Sequence, residues 1–446
     1  MIFHLRRYGF FIAVILLQAI YFLAALHFGK ICNGDTFEYV YEAVNIIERA
    51  SFYCGNPVLP MQEEYLTLRT PLYPLFIAAV YTFAINNWIV LFFQNIASLF
   101  NIFFVRKTFM MLGYRSKMDV WYFLLLLFYP GQFVYADVLS PDILLQTCSV
   151  VYFYYCIRFL KEKKATLAIS MSLALITGLF LKPVLYPFVV IHLVTILVFG
   201  SVKKILGLKL LSASVLPLLC VLAYSYANKV RTGKFHFSSI QSVNALYNHL
   251  CYYYDKEGFE KGEAFIAKEQ KALDQLPTFK QRYDAANHRG LELLRENFSP
   301  YMQYHLMKSG RYFLQTGRGE LDQFLGKLTL KEIYAGKSQT LTAIVQERKV
   351  SAVLQYVKDN KTAVFAFVTF LSNLVKLAGL FLFARYAKAL PVIKWFIGLY
   401  ILYFALITGP VPNAHYAMPV SLLIMCCAVT GYLYTFGRTA KALPSV

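Results

Sequence analysis

The sequence predicts an all-α, polytopic membrane protein. Its 446 residues are 58% hydrophobic and only 15% charged, which makes it far more apolar than a soluble protein of this size. Several apolar windows exceed the roughly 18 to 20 residues that a helix needs to cross the hydrocarbon core. We expect about ten transmembrane helices in a multi-pass protein, of the cytoplasmic (inner) membrane if the host is bacterial.

The basic residues set the predicted topology, because loops rich in Lys and Arg stay in the cytoplasm. Arg6 and Arg7 place the N terminus there, and the apolar segment that follows is too long for a secretory signal. The run 72–86 is short and contains Pro74, so we expect it to lie against the outer surface rather than to cross. The predicted spans are 8–28, 88–105, 120–136, 143–160, two within 165–200, 210–227, 362–383, 392–408 and 416–436.

This topology divides the chain into three parts. Residues 1–227 form a transmembrane module with an outer loop at 29–87, residues 228–360 a mostly helical extracytoplasmic region, and residues 361–446 the C-terminal transmembrane helices. The alternating run 233–238 is typical of a short strand.

The net charge of +20 does not indicate nucleic acid, because Lys and Arg are spread along the chain; membrane lipids or a phosphate-bearing substrate fit it better. Cys32 and Cys54 share the outer loop, as a disulfide or as two thiols.

The first outer loop carries the densest set of ionisable residues. Asp35, Glu38, Glu42, Asn45 and Arg49 recur at intervals of three and four, which predicts one polar stripe on a helix. Carboxylates at a membrane surface are costly unless they have a function. Two interpretations of Asp35 are compatible: a capping box with Glu38, and a catalytic base.

Four further positions are predicted to face the same extracytoplasmic side. Arg69 precedes a turn bounded by prolines, where it would grip a phosphate or extend to lipid headgroups. Asp142, in Ser-Pro-Asp, either caps a helix or contributes a carboxylate, and Lys182 interrupts a long apolar run. His415 is a further cation candidate, although a lone histidine is more often structural.

The order of these motifs resembles the GT-C glycosyltransferases, in particular the group of the protein O-mannosyltransferases and the lipid A aminoarabinose transferases. The resemblance covers roughly the first 250 residues. It rests on Gly34-Asp35 after the first span, then Arg69-Thr70-Pro71-Leu72-Tyr73-Pro74, Ser140-Pro141-Asp142-Ile143-Leu144-Leu145 and Lys182-Pro183, followed by Asn228, Gly233, Ser238 and Asn244.

The resemblance implies an inverting transfer of a sugar from a polyprenyl-phosphate donor to an acceptor hydroxyl at the extracytoplasmic face. The acceptor would be a lipid, a glycan or a protein. Asp35 would act as base with Asp142 in support, and Arg69 and Lys182 would bind the donor phosphate. The further substrate-binding candidates are Glu38, Tyr73, Asp137 and His415. No cofactor is certain, and the need for a divalent cation stays open because the loop has one Asp rather than an acidic pair.

Two rival functions stay open at this stage. A transporter or flippase for lipid-linked glycans often has internal repeats and charges at mid-membrane depth, and the sequence shows neither clearly. A glycan polymerase or ligase would differ in its donor, which is linked through a diphosphate. The identity of the donor therefore separates the transferase from the ligase.

Overall fold

The computed structural model describes residues 2–326, 361–386, 391–409 and 414–436. These ranges are almost entirely helical and contain no strand. The predicted outer helices within 327–360 and the end of the chain after 436 lie outside the described residues. The α-helices, numbered in chain order, are α1 Ile2–Phe28, α2 Thr36–Arg49, α3 Leu72–Tyr81, α4 Asn87–Met110, α5 Asp119–Leu127, α6 Gly131–Val134, α7 Asp142–Glu162, α8 Ala165–Leu181, α9 Phe188–Val202, α10 Leu208–Thr232, α11 Ile240–Glu257, α12 Phe259–Asp274, α13 Phe279–Glu296, α14 Phe298–Arg311, α15 Arg318–Phe324, α16 Lys361–Tyr386, α17 Pro391–Ile407 and α18 Met418–Phe436.

Six helices among the described residues are long and apolar enough to cross a membrane. They are the segments Tyr8–Phe28, Asn87–Met110, Asp142–Glu162, Leu208–Thr232, Thr362–Arg385 and Ala414–Thr435. The protein is therefore a helical, multi-pass membrane protein in its broad class. Helices α3, α8, α9 and α17 are apolar but shorter, with 10 to 17 residues.

Two predicted elements differ from the structure. The span predicted at 120–136 is broken: α5 ends at Leu127, α6 begins after Pro130, and a 3₁₀ turn at Tyr135–Asp137 follows. Proline disfavours helical geometry in the residue before it and cannot donate to the preceding turn. The strand predicted at 233–238 is wrong, because this segment is a loop whose carbonyls at His236 and Phe237 accept hydrogen bonds from Asn228 Nδ2.

The C-terminal helix α18 lies at the centre of the bundle. It packs against α16, α7, α4 and α5, and most of its residues are fully buried. A network of amides crosses the bundle beside it: Gln146 on α7 donates to the Met418 carbonyl at 2.7 Å and exchanges hydrogen bonds of 2.9 Å with Gln132. Buried side-chain amides of this kind hold helices together where no water competes.

Residues 228–326, the described part of the predicted outer region, pack on the first loop. Ser239 N donates to the Thr67 carbonyl at 3.0 Å, and Ser238 Oγ donates to the Leu68 carbonyl at 2.8 Å. Arg282 on α13 forms an ion pair with Glu64. These contacts fix the loop immediately before Arg69, and so the outer region positions that side chain.

Candidate functional site

Helix α2 turns its polar stripe toward the protein. Glu42 and Asn45 are buried, whereas Phe37 and Ile47 on the other face are about half exposed, as expected for a helix at a membrane interface. The predicted capping box is wrong: Asp35 occupies the N-cap position, but its side chain makes no capping hydrogen bond. The Asp35 and Glu38 carboxylates are therefore free to take part in other contacts.

Both carboxylates bind Arg69. Its Nη2 lies 2.9 Å from Asp35 Oδ1, and its Nε donates to Glu38 Oε2. The guanidinium also lies over the ring of Tyr39, 5.2 Å from the centroid. The Arg69 side chain is only 11% exposed, whereas that of Asp35 is 52% exposed, so a substrate can reach Asp35 from outside the cluster.

A second ion pair joins Lys182 to Asp142. Lys182 Nζ lies 2.7 Å from Asp142 Oδ1, in a largely buried setting. Lys182 also lies over the ring of Tyr416, 5.2 Å from the centroid. Burial lowers the pKa of Lys182, but the Asp142 carboxylate together with Tyr39 and Asp35 outweighs this effect, and the net shift is upward. Lys182 therefore remains a cation.

Tyr39 lies within the electrostatic reach of both ion pairs. Arg69, Lys182, Asp35 and Asp142 all act on its hydroxyl, and burial raises the pKa of Tyr39 to about 12. His415 belongs to the same site, because Lys182, Asp142 and Asp35 are the charges that act on its ring. The structure thus brings together Asp35, Glu38, Arg69, Asp142, Lys182 and His415, which the sequence predicts in five separate segments.

The site is held by backbone contacts between distant segments. Thr36 Oγ1, at the start of α2, donates to the Leu139 carbonyl at 2.9 Å. Leu139 N donates in turn to the Ile31 carbonyl at 2.9 Å. These bonds tie the first loop to the turn that precedes Asp142. The two ion pairs are consequently fixed relative to each other by the fold.

The other two candidates lie behind this surface. Tyr73 is fully buried, donates to Gln94 Oε1 at 2.6 Å and meets the Tyr39 ring edge-on. Asp137 is also fully buried: its Oδ1 accepts from Asn95 at 2.7 Å, and its Oδ2 has no hydrogen-bond partner. Tyr73 supports Tyr39 from behind.

Among the residues that the structure describes, the cysteines and acidic side chains form neither a metal site nor a disulfide. Cys32 and Cys54 are both free thiols, and Cys54 Sγ donates to the Tyr65 carbonyl at 3.2 Å. Within the part of the chain that the structure describes, no group of three or more His, Cys, Asp or Glu is placed to hold a metal ion.

Two aromatic residues of the site, Tyr39 and Tyr416, are not among the candidates that the sequence predicts. Tyr39 and Tyr416 each lie beneath a cation, a geometry that stabilises the cation and leaves its N–H groups free to donate elsewhere. No sequence signal separates them, because aromatic residues make up 17% of the chain. The only indication that they belong to the site is that Tyr416 directly follows His415 and Tyr39 directly follows Glu38.

Comparison with protein-family models, with curated proteins and with solved structures finds no match to this chain.

Proposed function

We propose that the protein is a GT-C-type glycosyltransferase. It would move a sugar from a polyprenyl-phosphate donor to an acceptor hydroxyl. The observation that carries the proposal is the pairing of two carboxylate–cation clusters, Asp35 with Arg69 and Asp142 with Lys182, around Tyr39. This arrangement offers a base and two cations within one site, which a transfer between a phosphate and a hydroxyl requires.

The proposed step needs no external acid. The acceptor oxygen bonds to the anomeric carbon of the sugar, and the bond from that carbon to the phosphate oxygen breaks with its electron pair on the phosphate. The proton of the acceptor hydroxyl passes to the exposed carboxylate of Asp35. Arg69 and Lys182 stabilise the charge that grows on the departing phosphate. Base catalysis of this kind typically contributes about 10²- to 10⁴-fold.

The ion pair at Arg69 implies that the donor phosphate binds before Asp35 accepts the proton. The guanidinium already donates through Nε and Nη2 to two carboxylates, so a donor phosphate would compete with Asp35 for it. When Arg69 turns to the phosphate, the Asp35 carboxylate is released from its ion pair and can accept a hydrogen bond from the acceptor hydroxyl. Donor binding would thereby activate the base.

The architecture supports the same proposal. The six long helices, the shorter helices α8, α9 and α17, and the broken segment α5–α6 would together make ten crossings, with α3 against the outer surface. In this topology, the charged site and helices α11 to α14 lie on the extracytoplasmic side. A lipid-linked donor would reach the site through the membrane.

The test is sugar transfer by purified protein from synthetic polyprenyl-monophosphate sugars. We expect the wild type to release polyprenyl phosphate and Asp35→Asn to be slower by about 10²- to 10⁴-fold. Glu48→Gln is the matched control, because Glu48 is exposed on the same helix, α2. Full activity of Asp35→Asn would refute the role of the base. Turnover of a diphosphate-linked donor alone would favour a polymerase or ligase.

A further inference from the structure

A buried lysine lies in the C-terminal bundle, outside the candidate site. Lys376 is in the candidate span of α16 and is only 5% exposed. Its ammonium lies over the ring of Tyr129, 4.8 Å from the centroid. Among the described residues, no carboxylate forms an ion pair with it and no carbonyl accepts a hydrogen bond from it. A charge within the membrane without such partners is costly and marks a functional site.

Lys376 lines a small cavity between α16 and α18. The cavity has a volume of about 40 Å³, which is room for roughly three water molecules. The oxygen atoms of a phosphate group would need a similar space. Polar groups surround the lysine there: Tyr312, Asn373 and Ser421 also line the cavity. Each of these three groups donates to a backbone carbonyl, so the Lys376 ammonium is the group in this cavity that would hold an anion.

A larger apolar cleft adjoins this cavity. It lies between α16 and α17, has a volume of about 350 Å³, and shares Phe313 and Leu377 with the cavity. Its lining is almost wholly apolar, with Lys394 as the exception. Lys394 Nζ donates to the Ala384 carbonyl at 2.8 Å, so its charge is engaged with the backbone. The cleft therefore suits a hydrocarbon chain.

We propose that this region binds a lipid monophosphate, with its phosphate at Lys376 and its chain in the cleft between α16 and α17. Charge complementarity to the Lys376 ammonium and the continuity of its cavity with an apolar cleft select this class of ligand. The pocket shares Ala414 and Ala417 with the turn that carries His415 and Tyr416. A lipid bound there would lie beside this turn of the candidate site.

Photolabelling with dioleoyl phosphatidic acid that carries a diazirine in one acyl chain tests this site. The labelling needs no sugar donor, so its outcome is independent of the proposed transfer reaction. We expect peptides of α16 and α17 to be labelled, and Lys376→Met to reduce this labelling at least tenfold. Lys209→Met is the control, because Lys209 is an exposed lysine at the start of another candidate span, α10.

A second variant tests the cleft without touching the lysine. Gly398 lines the cleft, and a Cβ added there would meet no atom within 4 Å. Gly398→Leu should therefore fold normally and reduce labelling of α16 and α17 at least fivefold. Undiminished labelling in both Lys376→Met and Gly398→Leu would overturn the proposal. Complete displacement of the probe by millimolar inorganic phosphate would also overturn it, since it would show a plain anion site without a chain.

Discussion

Glu42 is a buried carboxyl group one helical turn beyond Glu38. It is 3% exposed, and its Oε2 has no hydrogen-bond partner. Burial raises the pKa of Glu42 from 4.5 to about 8, although Arg231 and Arg69 act in the opposite direction. At neutral pH Glu42 is therefore mostly a neutral acid, beside a cluster of ionised groups.

This environment predicts a pH-dependent stability that Glu42→Gln removes. Between pH 4.5 and pH 8 the folded state holds a proton on Glu42 that the unfolded state has lost. Stability therefore falls as pH rises through this range, by about 1.4 kcal/mol for each pH unit. The thermal midpoints of the wild type and Glu42→Gln should be similar at pH 5, and the variant should be more stable at pH 8. Parallel pH profiles would contradict a buried, protonated Glu42.

The Lys182–Asp142 pair gives a second prediction. Lys182→Met leaves the Asp142 carboxylate buried without its cation, and breaking a buried pair in this way costs about 3 to 5 kcal/mol. Because Asp142→Asn removes that charge, the double variant should be more stable than Lys182→Met alone. Thermal midpoints of the two single variants and the double variant measure the coupling. A double variant that is no more stable than Lys182→Met would refute it.

The sequence predicts a set of ionisable residues that the structure brings together, but not how they pair. Asp35, Arg69, Asp142 and Lys182 stand out because charge is rare in so apolar a chain. The partner of each depends on long-range contacts, which spacing does not encode. Glu38 shows this directly: a separation of three residues suits a capping box with Asp35, yet both side chains bind Arg69 instead.

At the scale of the element, hydropathy predicts the apolar segments but not their breaks. The broken span α5–α6 has the same composition as a continuous helix, and only Pro130 signals the change of direction. The break has a consequence for the site, because it places the turn 135–141 under the start of α2, where Leu139 accepts from Thr36. An averaging window over hydropathy does not register one proline.

Gln146 connects the bundle to the segment that carries His415 and Tyr416. Its amide donates to the Met418 carbonyl and pairs with Gln132. Gln146→Leu would leave the buried Gln132 Oε1 on α6 without its donor, at about 1 to 3 kcal/mol, and would remove the hydrogen bonds to Met418 and Ser421 on α18. We expect a lower thermal midpoint and weaker sugar transfer.

Thr147→Val is the matched control for Gln146→Leu. Thr147 is the next residue of α7, but its hydroxyl donates only to the Ile143 carbonyl of its own helix. We expect its thermal midpoint and its sugar transfer to stay near the wild type. An equal loss in both variants would show that the amide network has no special role.

Helices α16 and α18 approach closely at glycines. A Cβ on Gly379 would lie 2.7 Å from Ala428 Cα, and one on Gly431 would collide with the Gly379 carbonyl oxygen. Small residues permit such contact between membrane helices. Gly431→Ala should force the helices apart, lower the free energy of unfolding by about 1 to 3 kcal/mol, as is typical of overpacking, and so lower the thermal midpoint. Gly398→Ala is the control and should not lower the thermal midpoint, because a Cβ at Gly398 meets no atom within 4 Å. Equal thermal midpoints for the two variants would contradict the close packing.

At the scale of the whole molecule, composition predicts a helical membrane protein, and the structure agrees. The central position of α18 was not predictable, because a C-terminal apolar segment carries no signal for the partners it will have. Helix length alone does not give the number of crossings: α8 has 17 residues and α9 has 15, about 25 and 23 Å at 1.5 Å per residue. Both fall short of the hydrocarbon core of about 30 Å.

The side of the membrane on which the site lies depends on the direction in which α10 crosses. This helix joins the short helices to the predicted outer region. Lys203 precedes α10, and Lys261 lies on α12 beyond it; both are exposed. In a background with Cys32, Cys220 and Cys251 replaced by serine, a membrane-impermeant maleimide should label Lys261→Cys in intact cells. It should label Lys203→Cys only after permeabilisation, because basic residues at this end predict a cytoplasmic location. Labelling of both positions from outside would mean that α10 does not cross. The reverse pattern would place Arg69 and Lys182 in the cytoplasm, where an outer-face donor lipid could not reach them.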